Sequence, residues 1–408
     1  MPAPPRSAYL HIPFCHRRCF YCDFAVVPLG DRADGAAGPG SASITAYLQL
    51  LLAEIAAAPG GPPLSTVYVG GGTPSLLSVE QLAGLLSALE RRFGLAAGAE
   101  ISLELDPAGF DQPRLDGYLA AGVNRVSLGG QSFDDAVLAS LGRRHRCADL
   151  LEAAQRLQGA RRRGRLRSWS LDLIQGLPGA DRRHWQEQLE QALALAPPHL
   201  SVYDLIVEPG TVFAWRQQRG ELALPDEDLA ADLMDLTAAR LAAAGYGRYE
   251  ISNYALPGHA SRHNRVYWSG AGWWGFGLGA TAAPWGARQV RPRTRAAYAS
   301  WLGQAPPTPG PEQVLRCQGE LVSGMALEER LIVGLRRREG VHLPHLAAAC
   351  GLSSVDVAAL QQRLEGFVHS GHLLLEGPRW RLSDPAGLAL SNAVLRELLA
   401  AWPPAAAL

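Results

Sequence analysis

Lysine is absent from this 408-residue chain, and all 38 cationic side chains are arginine. The sequence therefore excludes a lysine Schiff base and a phosphate-binding P-loop, since each of them requires a lysine. Acidic and basic residues balance to a formal net charge of zero at pH 7. A neutral chain gives no electrostatic reason to expect nucleic acid as a partner.

Long apolar stretches are also missing from the sequence. No run of about 18 apolar residues is seen, which is the length that a membrane-spanning helix needs. The opening segment MPAPPRSAYLHIPFC lacks the charged and apolar regions of a secretory signal peptide. We therefore expect a cytoplasmic protein, and a peripheral attachment to the membrane is left open.

Cysteine is scarce, but half of it is concentrated in one short segment. Of six cysteines, Cys15, Cys19 and Cys22 lie together in HIPFCHRRCFYCDF. Three thiolates at this spacing can converge on one inorganic centre, which predicts an iron–sulfur cluster or a zinc ion. Zinc ordinarily takes a fourth Cys or His, and the nearby histidines are poorly placed to supply it. The spacing and the aromatic neighbours favour a cluster, with zinc as the alternative.

Strand-like and helical patterns alternate over roughly the first 250 residues, which is typical of a parallel sheet with helices outside it. Six short runs rich in apolar residues predict the strands, at 8–12, 66–70, 101–105, 125–129, 170–174 and 200–207. Six units fit an open, partial (β/α)6 barrel better than a closed barrel of eight. In either fold, functional groups are expected at the carboxyl ends of the strands.

The composition also predicts a second, smaller domain. Residues 1–302 are expected to form the barrel, and segment 249–280 carries a motif considered below. Residues 303–315 contain four prolines and read as a linker. In 316–408, three helical patterns and a strand pair predict a winged-helix-like α+β domain. The segment SSVDVAALQQRL, where a DNA-reading helix would lie, carries one arginine and one aspartate, which disfavours DNA binding.

Glycine or polar side chains lie at the ends of consecutive predicted strands. They are Gly71, Gly72 and Thr73 in VYVGGGTPS, Glu104 in ISLELDP, Gln131 in GGQSF, Arg143 in GRRH and Asp172 in SLDLIQGLPG. Glycines without a Cβ let the backbone approach a ligand closely. Because carboxyl ends of parallel strands meet at one edge, these features predict a common ligand at the mouth of the barrel.

The ordered motifs resemble those of the radical S-adenosylmethionine (SAM) superfamily and, within it, the oxygen-independent coproporphyrinogen III oxidase family. The resemblance rests on YLHIPFC, GGGTPS, LELDP, GGQSFDD, GRRH, LDLIQGLPG and VEPGT. It implies that the three cysteines hold a [4Fe–4S] cluster, whose fourth iron takes the amino and carboxylate groups of SAM.

The same resemblance implies which side chains bind SAM. The set is Tyr9, Gly71, Gly72, Thr73, Glu104, Gln131, Arg143, Asp172 and Ile206. Tyr9 is expected near the cluster, and Gly71 and Gly72 with Glu104 at the methionine part. Gln131, Arg143 and Asp172 are expected at the ribose and carboxylate side. Ile206 and the apolar part of GFGLG (275–279) are expected to flank the adenine.

Two details resemble the haem-chaperone branch of this family more than its true oxidases. Phe24 occupies the position where true oxidases carry a fourth cysteine, and HNRVYW matches the HNxxYW signature of the chaperone branch. The resemblance implies a haem site formed by His263, Asn264, Tyr267 and Trp268. Axial ligation by His263 and a structural role for this histidine both stay open.

Three functions follow from these patterns. The favoured one is a haem chaperone that binds haem and a SAM-ligated cluster and delivers haem to haemoproteins, including acceptors at the membrane. The second is a radical enzyme that decarboxylates coproporphyrinogen III to protoporphyrinogen IX, and the third is a structural cluster or zinc site. Expected partners are haem or porphyrin and a reductant for the cluster. A homodimer and productive SAM cleavage are left open.

Overall fold

The computed structural model of the chain describes residues 4–30, 39–285, 288–304, 327–348 and 353–401. The strands are, in chain order, β1 (Ser7–Ile12), β2 (Phe14–Cys15), β3 (Val27–Pro28), β4 (Leu64–Gly71), β5 (Leu95–Leu105), β6 (Arg125–Gln131), β7 (Ser168–Gln175), β8 (His199–Asp204), β9 (Gly247–Glu250), β10 (Asn253–Ala255), β11 (Trp274–Phe276), β12 (Thr281–Ala282), β13 (Gln289–Val290), β14 (Val341–His342), β15 (Leu373–Glu376) and β16 (Arg379–Leu382).

The helices alternate with the strands of the larger unit and dominate the smaller one. They are α1 (Pro39–Ala57), α2 (Val79–Phe93), α3 (Gln112–Ala120), α4 (Asp135–Ser140), α5 (Cys147–Arg162), α6 (Arg182–Ala194), α7 (Val212–Gln218), α8 (Glu227–Ala243), α9 (Arg262–Ser269), α10 (Arg295–Gln304), α11 (Leu327–Leu335), α12 (Leu343–Ala348), α13 (Ser354–Arg363), α14 (Glu365–His369), α15 (Ala386–Ala389) and α16 (Ser391–Ala401).

Nine strands form one sheet in the order β11-β1-β4-β5-β6-β7-β8-β10-β9. Strands β1 and β4 to β8 run parallel, so all six predicted strands are present and the α/β fold is confirmed. The sixth strand ends at Asp204 instead of 207, because the chain then turns toward α7. Parallel order places the carboxyl ends of these six strands at one edge of the sheet.

Helix α2 illustrates how the sequence forms the outer layer. Ser78 caps its first turn. The Ser78 side chain accepts a hydrogen bond from the backbone N–H of Gln81, and the Gln81 side chain accepts one from the backbone N–H of Ser78. Leu82, Leu85 and Leu89 recur at helical spacing and are buried against the sheet. Each such leucine contributes about 1.5–3 kcal/mol through burial, which fixes the face that α2 presents to the core.

Helix α1 differs from the sequence expectation of no membrane-length apolar stretch. Within the described ranges it is the one helix long and apolar enough to span a membrane by composition, over Gly40–Ala57 with mean hydropathy 1.2. Its Tyr47 and Leu51 are nevertheless fully buried in the protein core. Glu54 on this helix is also buried, and its Oε1 accepts a hydrogen bond from Arg291 Nε at 2.8 Å. The buried charged pair shows that this face of α1 packs into the protein interior.

The C-terminal residues form a small unit with a core of its own. Its three-stranded sheet has the order β14-β16-β15, and β15 pairs antiparallel with β16 across Gly377 and Pro378. Leu331, Trp380 and Val394 are buried at its centre. Most of the predicted linker at 303–315 lies outside the described residues, and the winged-helix interpretation of this unit stays a prediction.

The C-terminal unit packs beside the last strands of the main sheet. Arg338 donates its backbone N–H to the carbonyl oxygen of Tyr249 at 3.0 Å, and Arg248 pairs with Asp384 at 3.1 Å. Arg265 of α9 forms an ion pair with Glu339. Helix α9 therefore lies between the barrel and the C-terminal unit.

Candidate functional site

A cavity of about 1250 Å³ lies at the carboxyl ends of the parallel strands. The predicted residues that line it are Cys15, Cys19, Cys22, Gly71, Gly72, Thr73, Glu104, Gln131, Arg143, Asp172 and Ile206. Small-molecule sites typically measure about 300–1,000 Å³, so this cavity has room for a cofactor and further ligand. The structure thus brings together all the residues predicted for the cluster and SAM except Tyr9, whereas the four residues predicted for haem do not line this cavity.

The segment with the three cysteines is fixed at both ends by backbone hydrogen bonds. Cys15 ends β2, and its carbonyl oxygen accepts the N–H of Leu29 at 2.8 Å. The N–H of Cys22 donates to the carbonyl oxygen of Cys19 at 3.3 Å, which folds the segment into a turn. Phe20, which lies between Cys19 and Cys22, donates its backbone N–H to the carbonyl oxygen of Leu141 at 3.0 Å. The loop therefore holds three free, half-buried thiols at the cavity wall.

Burial keeps two of these thiols neutral in the protein alone. Burial raises the pKa of Cys15 to about 12, and a hydrogen bond from the Thr73 hydroxyl opposes the shift only in part. Burial also raises the pKa of Cys22, against a hydrogen bond from the backbone N–H of Phe24. Iron binds thiolates, so a bound cation would have to displace these protons.

The three thiols can be compared with the ligand sets of a single metal ion and of an iron–sulfur cluster. Throughout the described ranges, no three His, Cys, Asp or Glu side chains lie close enough together to hold one metal ion. Zinc needs all its ligands within about 2.0–2.3 Å of one centre. A [4Fe–4S] cluster takes each thiolate on a different iron, so its ligands stand farther apart. Three thiols at one cavity wall match the donor type that such a cluster requires.

Arg143 supplies a positive charge beside the cysteines. Its guanidinium lies 3.7 Å from Cys19 Sγ, donates to the Gly129 carbonyl oxygen at 3.0 Å and pairs with Asp106 at 2.8 Å. Its Nε is buried and has no hydrogen-bond partner in the described part of the chain. A buried donor without a partner is costly unless a ligand accepts from it. Arg143 therefore fits an anionic group in this cavity.

Glu104 supplies the matching negative charge at the end of β5. Its Oε1 accepts from the Tyr68 hydroxyl at 2.9 Å, and its Oε2 accepts from the Gly71 N–H at 2.9 Å. Burial raises the pKa of Glu104 to about 7, although both hydrogen bonds oppose the shift. An ammonium group in the cavity would stabilise the ionised carboxylate. Glu104 is thus suited to the amino group of an amino acid.

The glycines of VYVGGGTPS are needed for a reason that the sequence analysis did not identify. A Cβ at Gly72 would lie 2.6 Å from the Phe14 carbonyl oxygen and 2.7 Å from Cys15 Sγ. Gly71 has φ = +121°, which a residue with a Cβ rarely adopts. The glycines let the cysteine segment itself approach β4, in addition to leaving room for a ligand.

Gln131 and Asp172 lie on neighbouring strands and both face the cavity. Gln131 follows a register shift in β6 and has φ = +65°, a backbone conformation that is uncommon outside glycine. Asp172 accepts from Ser127 Oγ at 2.7 Å and from Ser170 Oγ at 3.1 Å. Burial raises its pKa, against these hydrogen bonds. Both side chains can therefore bond to hydroxyl groups.

The structure separates the two segments that were predicted to flank an adenine. Ile206 follows β8 at the cavity rim and is 66% exposed. Residues 275–279 belong to β11 and its turn, at the opposite edge of the sheet, and do not line the cavity. Phe276 and Leu278 are fully buried in the core. The prediction for 275–279 is wrong, because its apolar pattern reflects core packing.

Tyr9 lies one layer behind the cavity wall. Its ring stacks on Tyr68 with centroids 6.2 Å apart, and its hydroxyl shares a 2.9 Å hydrogen bond with His11 Nδ1. Tyr68 and Asp106 line the cavity and were missed by the sequence analysis. Tyr68 looked like a core residue within a strand, whereas the position of Asp106 directly after β5 was a signal that could have identified it.

His263 lies in the first turn of helix α9 and is fully buried. Its Nδ1 shares a 2.8 Å hydrogen bond with Thr66 Oγ1, and its Nε2 shares one of 2.8 Å with the Tyr267 hydroxyl. Burial lowers the pKa of His263 to about 3, so the ring is neutral. With both nitrogens engaged, His263 is not available as an axial haem ligand in this conformation. Asn264, Tyr267 and Trp268 are half-buried on the same helix.

Comparisons with known proteins agree with this geometry. Residues 9–192 match the family model described as "Radical SAM superfamily". The chain is 40% identical to "Heme chaperone HemW" of Synechocystis sp., over 97% of each chain. It is 38% identical to "Heme chaperone HemW" of Mycobacterium tuberculosis, over 98% of this chain and 96% of the relative.

A solved structure shares the fold. The coproporphyrinogen III oxidase (HemN) of Escherichia coli, described as a radical SAM enzyme, superposes with a TM-score of 0.74 and 23% sequence identity. The match covers 98% of this chain and 91% of that one. At this identity the likeness shows the architecture alone.

Proposed function

Since the chain belongs to the HemW heme chaperone family of radical SAM proteins, we propose that it binds haem and passes it to acceptor haemoproteins. The observation that carries this proposal is the 40% identity to a relative of that name over 97% of both chains. The same proposal includes acceptors at the membrane and a reductant for the cluster. It also includes a homodimer and a peripheral attachment to the membrane.

The proposal includes a [4Fe–4S] cluster held by Cys15, Cys19 and Cys22. The all-sulfur donor set and the Arg143 guanidinium beside Cys19 support it. When bound, such a cluster offers one iron without a protein thiolate, to which the amino and carboxylate groups of SAM can bind. The positive charge of Arg143 would offset part of the negative charge of the thiolates.

SAM is proposed to occupy the same cavity. Glu104 accepts a hydrogen bond from the ammonium group of SAM. Tyr68 and Gly71 donate to the Glu104 carboxylate and hold it in place. Gln131 and Asp172 are placed to bond the ribose hydroxyls, and Ile206 offers an apolar surface at the rim. Thr73 donates a hydrogen bond to the Cys15 thiol, and Gly72 packs closely against it. Haem binding is proposed for the chain without an axial ligand from His263.

The alternative is oxygen-independent coproporphyrinogen III oxidase activity, which the motif resemblance of the sequence also allows. We expect the anaerobically reconstituted, reduced protein to form no protoporphyrinogen IX from coproporphyrinogen III and SAM. The same protein should bind haemin with a shift of the Soret band. The E. coli oxidase assayed in parallel controls for active reagents.

Two outcomes would overturn the proposal. Steady protoporphyrinogen formation above the level of a SAM-free reaction would make the chain an oxidase. An unchanged haemin spectrum, with the cluster intact, would remove the haem function altogether.

A further inference from the structure

Three aromatic rings form a stack whose middle ring, that of Tyr68, lies at the cavity wall and whose last ring, that of His263, belongs to helix α9. The Tyr68 ring lies between the rings of Tyr9 and His263, with centroid distances of 6.2 and 5.2 Å and interplanar angles of 26° and 28°. At the cavity side, the Tyr68 hydroxyl donates to Glu104 Oε1 at 2.9 Å. The orientation of Glu104 therefore depends on where the stack holds Tyr68.

His263 is the most firmly fixed member of this stack. Thr66 and Tyr267 each share a 2.8 Å hydrogen bond with one of its ring nitrogens. Its backbone N–H donates to Glu100 Oε1 at 3.0 Å, which ties the start of α9 to β5. β5 also carries Glu104, so β4, β5 and α9 meet at this histidine. A ring that is hydrogen-bonded at both nitrogens, on a backbone tied to β5, can position its neighbour.

We propose that His263 is a positioning residue for the SAM site, which holds Tyr68 so that the carboxylate of Glu104 faces the amino group of SAM. The proposal rests on the proposed binding of SAM in this cavity. It gives the HNRVYW segment a role in the cofactor site, reached through Tyr68 and without contact to the ligand. Helix α9 also contacts the C-terminal unit through the ion pair of Arg265 with Glu339.

The test is a double-mutant cycle on the reconstituted protein, with SAM affinity measured by equilibrium dialysis. Tyr68→Phe removes only the hydroxyl on Glu104 and is expected to weaken SAM binding about tenfold. His263→Gln removes the ring behind Tyr68 and is expected to weaken it about fivefold. If His263 acts through Tyr68, the double variant should bind only about ten- to twentyfold more weakly, well short of the product of the single effects.

Further variants separate positioning from general damage. His199→Gln alters another fully buried histidine, which shares a 2.8 Å hydrogen bond with Tyr249 and does not line the cavity. This control should retain wild-type SAM affinity. Tyr267→Phe removes only one partner of the His263 ring and should weaken SAM binding about threefold. If the His263→Gln variant does not fold, the SAM affinity of Tyr267→Phe tests the positioning role in its place.

The readouts distinguish failure of this inference from failure of the proposed function. Iron content and haemin binding of the His263→Gln variant should match the wild type. Wild-type SAM affinity in both His263→Gln and Tyr267→Phe, or full multiplication of effects in the double variant, would overturn the inference. A wild-type protein that binds no SAM would instead overturn the proposed cofactor site.

Discussion

Replacing Cys19 with alanine is expected to reduce the iron content of the anaerobically reconstituted protein from about four atoms per chain to fewer than one. Two remaining thiolates cannot hold a four-iron cluster against loss, because each thiolate secures a different iron. The loss should also leave Arg143 without the sulfur that lies 3.7 Å from its guanidinium. Iron and sulfide analysis, with the visible absorption of the cluster, measures the effect.

Cys147 provides a matched control within the same chain. It is a free, half-buried cysteine at the start of α5 and does not line the cavity. The Cys147→Ala variant should therefore take up as much iron as the wild type. Equal iron in the Cys19→Ala variant, or stoichiometric zinc in place of iron in the wild type, would contradict the cluster assignment.

Replacing Arg143 with methionine is expected to lower the free energy of unfolding by about 3 kcal/mol, because it leaves the Asp106 carboxylate without its counter-ion. Burial alone would raise the pKa of Asp106, but the charge of Arg143, 2.8 Å away, outweighs it and holds that pKa well below its ordinary value. The Asp106 side chain is 22% exposed, which keeps the cost at the lower end for a buried pair. Urea unfolding at pH 7 measures the difference.

The pH dependence of this variant has a definite sign. A carboxyl group whose pKa is lowered by folding stabilises the protein above its unfolded pKa of about 3.9, and this contribution is lost as the pH falls toward its folded pKa. The difference between wild type and Arg143→Met should therefore be largest above about pH 4 and shrink in stronger acid.

A second substitution tests whether the orphaned charge is the cause. Adding Asp106→Asn to Arg143→Met removes the unpaired carboxylate and should restore part of the lost stability. A double variant less stable than Arg143→Met, or no effect of Arg143→Met at all, would show that the pair does not stabilise the fold.

The sequence predicted the barrel and most of its cavity because both depend on local patterns. Strand-like runs alternate with amphipathic stretches, and parallel strands bring their carboxyl ends together whatever the details of packing. Glu104 and Gln131 were found because each lies at such an end, and Asp172 because it lies near the end of β7. Asp106 occupies an equivalent position and was missed although the same rule applied to it.

Contacts between distant residues could not be predicted in this way. Thr66 and His263 are separated by 197 positions, yet they share the hydrogen bond that fixes the histidine ring. The motif around His263 therefore identified a family without revealing what its side chains contact. Segment 275–279 failed for a related reason, because an apolar run with glycines reads the same beside a ligand and inside a core.

One spectroscopic measurement tests the centre of this account, a three-cysteine cluster with an iron left open for SAM. The anaerobically reconstituted protein is reduced, and its electron paramagnetic resonance spectrum is recorded without and with SAM. We predict a signal of a reduced four-iron cluster whose g-values change when SAM is added, since the ligand binds the iron directly. A cluster signal that saturating SAM leaves unaltered would contradict the account.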